Sequence, residues 1–195
     1  MKGYYDARAR EYDDWIHGLG LYADRERPGW EKELSALERT LQSLPPARTL
    51  DVAAGSGYFT RFLPGHVVAF DQSANMIAVA SERETAAKYV VGDAFELPFE
   101  DASFERVFTG HFYGHLDDEE RPRFLAEARR VAPELVVLDS AWREGVEHEE
   151  WQDRRLLDGS NWQVYKRYFE PDALAAELGD GRTVFAGIWF VVVQA

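Results

Sequence analysis

The chain has 195 residues, of which 46% are hydrophobic and 29% charged, a balance typical of a folded globular protein rather than a collagenous, low-complexity or disordered chain. Its 22 Lys and Arg against 35 Asp and Glu give a formal net charge of −13, which disfavours nucleic acid and anionic membranes as partners. With no cysteine, disulfides, thiolate metal sites and cysteine nucleophiles are excluded; we expect a cytoplasmic protein, because its first residues also lack the apolar core of an export signal.

Two amphipathic helices are predicted before any strand. Apolar side chains recur at helical spacing from Tyr4 to Ile16, which predicts one short helix that ends near Gly18. A second helix is predicted over residues 30–44, because Trp30 and three leucines share one face and two prolines follow. We expect residues 1–46 to form an N-terminal helical cap.

From residue 49 onward, short apolar segments alternate with helical ones. The apolar segments are residues 50–54, 67–71, 89–93, 104–108 and 135–139, and the helical patterns lie at 58–63, 74–84 and 119–131. Such an alternation is what a parallel sheet covered on both faces requires. Two more strands, at 183–186 and 189–193, are close enough to pair antiparallel. The predicted fold class is therefore α/β, with a Rossmann-like, mostly parallel seven-stranded sheet whose last strand is antiparallel, in a single domain over residues 1–195.

A glycine-rich loop follows the first strand and carries the first chemical signal. Gly55 and Gly57 stand where strand gives way to helix, and glycine there lets the backbone approach a ligand closely. A dinucleotide fingerprint is incomplete because Thr60 occupies its third glycine position, and no phosphate-binding lysine of a P-loop follows. Asp71 ends the second strand, 20 positions after Asp51. A carboxylate at this place can accept hydrogen bonds from both hydroxyls of a ribose. These residues predict a nucleoside site without a pyrophosphate.

Three motifs resemble the class I S-adenosylmethionine-dependent methyltransferases. Residues 50–57 (LDVAAGSG) resemble the first motif of that family, residues 71–76 (DQSANM) its ribose-binding turn, and residues 92–99 (GDAFELPF) its adenine loop. The resemblance extends over nearly all of residues 50–194 and implies the class I methyltransferase fold with S-adenosyl-L-methionine as cofactor. It implies a cofactor site formed by Asp51, Ala53, Gly55, Gly57, Asp71, Gln72, Met76, Asp93, Ala94, Phe95 and His111.

Within this resemblance, Ala53 is a departure, because the family usually has its first glycine there. Purely structural alternatives stay open for the main residues. Gly55 and Gly57 could serve a tight turn, Asp71 could be an acid at a helix N-terminus, and Asp93 could be an ordinary loop carboxylate.

The family's acceptor-binding elements are the N-terminal helix and the segments after the fourth and fifth strands. Residues 108–115 (FTGHFYGH) lack the Asn/Asp-Pro-Pro-Tyr motif of families that methylate amide or exocyclic amino nitrogen, which disfavours such acceptors. His111 and His115 are the candidate catalytic residues, since imidazole titrates near working pH. For each, a hydrogen bond to backbone or to a lid carboxylate is the alternative.

Residues 141–170 are predicted to form a substrate lid. Asp158 and Gly159 predict a turn within a hairpin or a helix-to-strand lid, which folds Arg154 back towards Lys166. Two such cations would suit a small anion. Solvation, or pairing with acids at 147, 149, 150 or 153, is the alternative.

A narrower resemblance links residues 4–13, the two histidines and residues 154–166 to an O-methyltransferase of phosphonate natural-product biosynthesis. It places acceptor binding on Tyr5, Tyr12, Arg154 and Lys166. An ionised oxygen acceptor needs no base, which would leave the histidines as positioning groups. Methyl transfer to an oxygen of a small acidic molecule is therefore predicted, with no metal.

Other functions remain open from the sequence. A non-catalytic S-adenosylmethionine-binding regulator or partner subunit is the main alternative, and an NAD-dependent reductase and a metal-dependent catechol-type methyltransferase are weaker ones. The tryptophans between residues 142 and 162 either close over substrate or meet another subunit of a homo-oligomer.

Overall fold

The predicted strands pair into one mixed sheet in the computed structural model, which describes residues 2–83 and 85–195. The helices are α1 (Lys2–Arg8), α2 (Asp14–His17), α3 (Trp30–Gln42), α4 (Ala74–Ser81), α5 (Glu120–Val131) and α6 (Pro171–Glu177). The strands are β1 (Ala47–Val52), β2 (Gly65–Asp71), β3 (Lys88–Val91), β4 (Arg106–Gly110), β5 (Glu134–Ser140), β6 (Glu149–Arg155), β7 (Asn161–Arg167), β8 (Arg182–Ala186) and β9 (Phe190–Gln194).

The main sheet has the strand order β3-β2-β1-β4-β5-β9-β8. Its first five strands are parallel, and β9 runs antiparallel to both β5 and β8. The predicted seven-stranded sheet with an antiparallel last strand is thus confirmed. The chain reverses direction across the sheet between β1 and β4, and such a switch point opens a crevice at the carboxyl ends of the two strands.

The central strands are apolar throughout because the sheet is covered on both faces. Neighbouring residues of β4 enter different clusters: Val107 packs with Phe124 of α5 on one face, and Phe108 packs with Leu37 of α3 on the other. All four side chains are fully buried. The continuous apolar pattern of these strands therefore reflects two cores rather than one.

The N-terminal helix differs from the prediction. The single helix expected over residues 4–15 is divided into α1, a 3₁₀ turn over Ala9–Glu11 and α2. The carboxylate of Asp13 accepts hydrogen bonds from the Ser56 hydroxyl at 2.5 Å and from Arg83. Because these contacts reach the loop after β1, tertiary packing bends the chain where local propensity favours a continuous helix.

Two other predicted helices are shorter than expected. Only one 3₁₀ turn, Thr60–Phe62, forms within residues 58–63. The helix predicted over 74–84 ends at Ser81, and Glu84, like Met1, lies outside the described residues. No helix within residues 2–83 and 85–195 has both the length and the apolarity to cross a membrane.

Strands β6 and β7 form a separate two-stranded antiparallel hairpin. Gly159 has φ +86° in its turn, the left-handed conformation that glycine adopts without strain. Arg154 lies opposite Trp162, while Lys166 lies opposite Glu150, four pairs further from the turn and therefore on the same face. The hairpin alternative is thus confirmed, and alternation along the strands explains why Arg154 and Lys166 share a face.

Glu33 of α3 is predicted to stabilise the β8–β9 turn. Its carboxylate accepts backbone N–H groups from Trp189 at 2.7 Å, Phe190 at 2.9 Å and Ile188 at 3.0 Å. Glu33→Ala should lower the free energy of unfolding in urea by about 2 kcal/mol, because charge-assisted hydrogen bonds are lost and their donors are left unpaired. The exposed Glu31→Ala on the same helix is the control, and equal losses in the two variants would contradict this role.

Candidate active site

Two narrow clefts lie at the carboxyl ends of β1, β2 and β4. Gly55 and His111 border the first cleft, and Asp93 and Phe95 border the second. Four residues line both clefts: Ala53, Asp71, Gln72 and Phe112. The clefts therefore form one continuous crevice over the switch point, where α/β sheets bind their ligands.

The carboxylate of Asp71 organises this crevice. Its Oδ2 accepts the N–H of Gly55 at 2.9 Å and its Oδ1 accepts the N–H of Ser73 at 2.8 Å, which ties the loop after β1 to the turn after β2. Burial raises the pKa of Asp71, and the backbone donors oppose that shift. Each carboxylate oxygen has a further lone pair, so the group can also accept two hydroxyls of a ligand.

Every second residue of the loop after β1, from Ala53 to Gly57, has a positive φ. Gly55 has φ +57° and Gly57 has φ +75°. A Cβ on Gly55 would lie 3.4 Å from the Tyr12 ring, so the loop and the N-terminal segment pack closely there. Ala53 also has φ +57°, a conformation that costs an alanine roughly 1–2 kcal/mol. The backbone geometry thus explains why glycine suits position 53.

Three of the predicted cofactor residues lie behind the crevice rather than on its walls: Asp51, Gly57 and Met76. The Asp51 carboxylate accepts the Thr60 hydroxyl at 2.6 Å, and burial raises the pKa of Asp51 to about 7. Met76 is fully buried, and a Cβ on Gly57 would lie 3.2 Å from Cβ of Ala80. These positions support the loop from below.

A cavity of about 640 Å³ lies between the N-terminal segment and the β6–β7 hairpin. We call it the acceptor cavity. Its lining includes every residue predicted for acceptor binding and catalysis, namely Tyr5, Tyr12, His111, His115, Arg154 and Lys166. Tyr5, Tyr12 and His111 also line the first cleft, so the two spaces adjoin. In the described part of the chain, no group of three or more His, Asp or Glu side chains could hold a metal ion.

The two lid cations have different partners. Lys166 is 4% exposed and forms a buried ion pair with Asp139 at 2.5 Å. Arg154 donates to the Gln152 side-chain oxygen at 2.7 and 3.1 Å. Among residues 2–83 and 85–195, no carboxylate lies within 4 Å of the Arg154 guanidinium. Neither cation therefore pairs with the lid acids that sequence analysis left as the alternative.

Arg8 is a cation of the acceptor cavity that sequence reasoning missed. It is 4% exposed, donates to the hydroxyls of Tyr4 at 2.9 Å and Tyr22 at 3.1 Å, and lies 4.8 Å from the centroid of the Tyr12 ring. Arg154 reaches the same Tyr4 hydroxyl at 3.5 Å. The available signal was its spacing, four residues from both Tyr4 and Tyr12, which places it on the buried side of the segment.

His111 is strained and has an unpaired ring nitrogen. It has φ +55°, and its side chain is 9% exposed. Nδ1 lies 3.4 Å from the Ser140 hydroxyl and 3.8 Å from Asp139, whereas Nε2 is buried and has no hydrogen-bond partner among residues 2–83 and 85–195. Burial lowers the pKa of His111 to about 3. The imidazole is therefore neutral, and its Nε2 is available to a bound molecule.

His115 is neutral for the same reason. Burial, followed by the charges of Lys166 and Arg154, holds the pKa of His115 well below its usual value. Its Nδ1 lies 2.6 Å from the carbonyl oxygen of Tyr165, which can only accept, so Nδ1 carries the proton. Nε2 of His115 therefore has a lone pair.

Comparisons with known proteins relate the part of the chain that forms this crevice to methyltransferases. Residues 50–134 match the model of a methyltransferase domain. Demethylmenaquinone methyltransferase of Thermotoga maritima is 30% identical over 143 residues, covering 69% of this chain and 59% of that protein. Malonyl-[acyl-carrier protein] O-methyltransferase of Pectobacterium atrosepticum is 30% identical over 137 residues, covering 67% and 53%. The chain thus spans between half and three fifths of these two curated relatives.

A solved structure resembles nearly the whole chain. The complex of DhpI with SAH aligns over 98% of this chain and 92% of that chain, with a TM-score of 0.71 and 28% identity. The aligned region includes the N-terminal segment and the β6–β7 hairpin as well as the main sheet. The predicted class I methyltransferase fold is confirmed.

The neutral state of His111 predicts a pH-dependent stability. In the unfolded chain a histidine binds a proton below about pH 6.5, whereas folded His111 does so only near pH 3. The free energy of unfolding should therefore fall as the pH drops from about 6.5, and His111→Asn should reduce this slope by up to about 1.4 kcal/mol per pH unit. Asparagine tolerates the left-handed backbone of this position.

The measurement is urea unfolding of both proteins between pH 4 and 8.5. Above pH 7.5, where His111 is neutral in both states, the two curves should run parallel, which provides an internal control. Identical slopes below pH 6.5 would show that His111 is protonated in the folded protein.

Proposed function

Since the chain belongs to the class I methyltransferases, we propose that it transfers a methyl group from S-adenosyl-L-methionine to an oxygen of a small acidic molecule. The observation that carries this proposal is the junction of the Asp71 crevice with a cavity in which two buried or half-buried guanidiniums, Arg8 and Arg154, have no carboxylate partner within the described residues. An anionic ligand would supply the missing charge.

In this proposal the crevice holds the cofactor. The Asp71 carboxylate accepts the ribose hydroxyls, Asp93 and Phe95 border the adenine, and Ala53 and Gly55 admit the methionine portion. When bound, the cofactor supplies an electrophilic methyl on a positively charged sulfur. The relative named for its action on malonyl-[acyl-carrier protein] as an O-methyltransferase supports oxygen as the acceptor atom, and the solved SAH complex of DhpI supports the cofactor.

The acceptor cavity would orient the acceptor and exclude water. Burial raises the pKa values of Tyr5 and Tyr12, so both phenols keep their protons and can donate hydrogen bonds to an anion. Arg154 can bind a carboxylate or phosphonate through two parallel N–H groups. The neutral Nε2 of His111 can accept a hydrogen bond from a hydroxyl acceptor and so orient it, whereas an ionised oxygen needs only positioning by the cations.

Asp71→Asn tests the cofactor site. Its amide cannot accept both backbone N–H groups that the carboxylate accepts, and it loses the charged acceptor for the ribose. The dissociation constant for S-adenosylhomocysteine, measured by calorimetry, should rise by at least about 100-fold, equivalent to about 3 kcal/mol. The exposed Asp101→Asn is the control, and circular dichroism verifies folding. Unchanged affinity in folded Asp71→Asn would remove the proposed site.

Arg154→Gln tests the acceptor site. With a panel of hydroxylated carboxylic and phosphonic acids, release of S-adenosylhomocysteine should identify substrates of the unaltered protein. For those acids the variant should show a KM raised by about 10- to 100-fold, because a charge-assisted pair is lost, with unchanged affinity for S-adenosylhomocysteine. The exposed Arg39→Gln on α3 is the control. Loss of affinity for S-adenosylhomocysteine in Arg154→Gln would contradict its assignment to the acceptor site. If the unaltered protein binds the cofactor but turns over none of the acids, the alternative of a non-catalytic regulator is favoured.

A further inference from the structure

A second, smaller cavity of about 150 Å³ opens beside the acceptor cavity, at the ends of β4 and β5 and the start of β9. We call it the side cavity. Six residues line both cavities, namely Trp15, Tyr22, Arg25, His111, Ser140 and Tyr168. Of the described residues, His111 alone borders the first cofactor cleft, the acceptor cavity and the side cavity. A molecule with its reacting atom at His111 could therefore extend into either cavity.

The walls of the side cavity are aromatic. Trp30 packs edge to face against Trp15, with ring centroids 5.6 Å apart, and against Trp189, with centroids 5.4 Å apart. The Trp30 indole N–H donates to the carbonyl of Ile16 at 2.8 Å, which fixes its orientation. These rings provide a rigid apolar surface, suited to the carbon skeleton of a ligand.

Three arginines line the same cavity, and each lies over an aromatic ring. The guanidinium carbons of Arg27 and Arg143 lie 4.4 Å from the ring centroids of Trp30 and Trp189, respectively. Arg25 lies 4.7 Å from the Tyr22 ring centroid. Stacking of this kind orients a guanidinium plane while its N–H groups remain free to bind an anion.

Among the described residues no carboxylate pairs directly with these arginines, and the charge of Glu31 acts on Arg27 from beyond 4 Å. The residues that line the side cavity include neither Asp nor Glu, and within the described ranges no carboxylate lies within 4 Å of the three guanidiniums. Arg27 instead donates to the backbone carbonyl of Trp15. In a chain of net charge −13, a cavity with three cations and no acid is a specific arrangement for an anion.

We propose that the methyl acceptor has two anionic ends joined by an apolar segment. The acidic group near the reacting oxygen meets Arg154 in the acceptor cavity, and the second group, a carboxylate or a phosphate, binds Arg143 and Arg27, which line the side cavity and not the acceptor cavity. The apolar segment between them packs on Trp189 and Trp30. This inference rests on the proposed function for the identity of the ligand as the methyl acceptor, whereas the side cavity is defined by its own residues.

The test compares ligands with one and two anionic ends. Calorimetric titrations of protein saturated with S-adenosylhomocysteine would use straight-chain dicarboxylates of four to ten carbons and monocarboxylates of the same lengths. At one optimal length the dicarboxylate should bind at least about 10-fold tighter than its monocarboxylate. Phosphonocarboxylates of that length form a second arm, which distinguishes a site for carboxylate from one for phosphate.

Variants then locate the second end. Arg143→Gln should abolish the advantage of the dicarboxylate and leave the monocarboxylate affinity within about twofold, whereas Arg154→Gln should weaken both ligands. Arg27→Gln, which also changes a residue of the side cavity alone, is a second variant in case Arg143→Gln does not fold, and Arg39→Gln on the exposed side of α3 is the matched control. Quenching of tryptophan fluorescence by the dicarboxylate should be lost in Arg143→Gln as well.

The outcomes separate this inference from the proposed function. Equal affinities for both ligand classes at every length, or equal loss of both in Arg143→Gln, would overturn the two-ended acceptor even if methyl transfer occurs. Failure to bind S-adenosylhomocysteine would overturn the proposed function. In that case the same titrations without S-adenosylhomocysteine still determine whether the side cavity selects a second anion.

Discussion

The buried carboxylate of Asp139 joins the three elements on which the acceptor cavity depends. It forms an ion pair with Lys166 of the hairpin and accepts the N–H of Gly114, in the segment after β4, at 2.7 Å. A Cβ on Gly114 would lie 2.6 Å from the carbonyl oxygen of Arg167, so the hairpin and that segment meet without space for a side chain. Burial acts to raise the pKa of Asp139, but the charge and hydrogen bond of Lys166, together with the two neighbouring histidines, outweigh burial and lower that pKa. A buried carboxylate therefore keeps its charge and holds the hairpin against the sheet.

The same arrangement separates charged from neutral groups. The positive charge of Lys166 is balanced by the negative charge of Asp139. Burial keeps His111 and His115 uncharged by holding their pKa values low. In the acceptor cavity, Arg8 and Arg154 carry positive charge without a carboxylate partner among the described residues, and the two meet at the Tyr4 hydroxyl. A cavity so organised favours an anion, and its neutral imidazoles can accept hydrogen bonds there without adding charge.

The side cavity is a second place where guanidinium groups have no carboxylate within 4 Å among the described residues. Arg27 and Arg143 stack on Trp30 and Trp189, and the pairs lie at the start of α3 and at the start of β9. Residues 30 and 189 are far apart in sequence, so no local pattern indicates that their arginines converge. His111 connects both cavities to the cofactor crevice, which explains how a strained backbone and an unpaired nitrogen can be retained at one position.

Much of the fold follows from local sequence. The continuous apolar segments, with Gly55 after the first and Asp71 at the end of the second, predict parallel strands and the loops that follow them. A strand that is buried on both faces needs apolar side chains at every position, so its burial can be inferred from residue type. The division of the N-terminal helix could not be predicted, since Asp13 is drawn to Ser56 and Arg83 by contacts between distant segments. Helix propensity depends on the residues of the segment itself, so it cannot predict contacts with distant segments.

For the site, the sequence by itself indicated the crevice: a strand, a glycine loop and an acid at the next strand end predict a nucleoside site, because all three can be read from local sequence. Only the tertiary structure decided the charges around the acceptor. Lys166 was expected to bind an acidic ligand and is paired with Asp139, while Arg8 was not predicted and is a buried guanidinium without a carboxylate partner among the described residues. Pairing and burial depend on which groups meet in space, and the protonation state of each histidine depends on both.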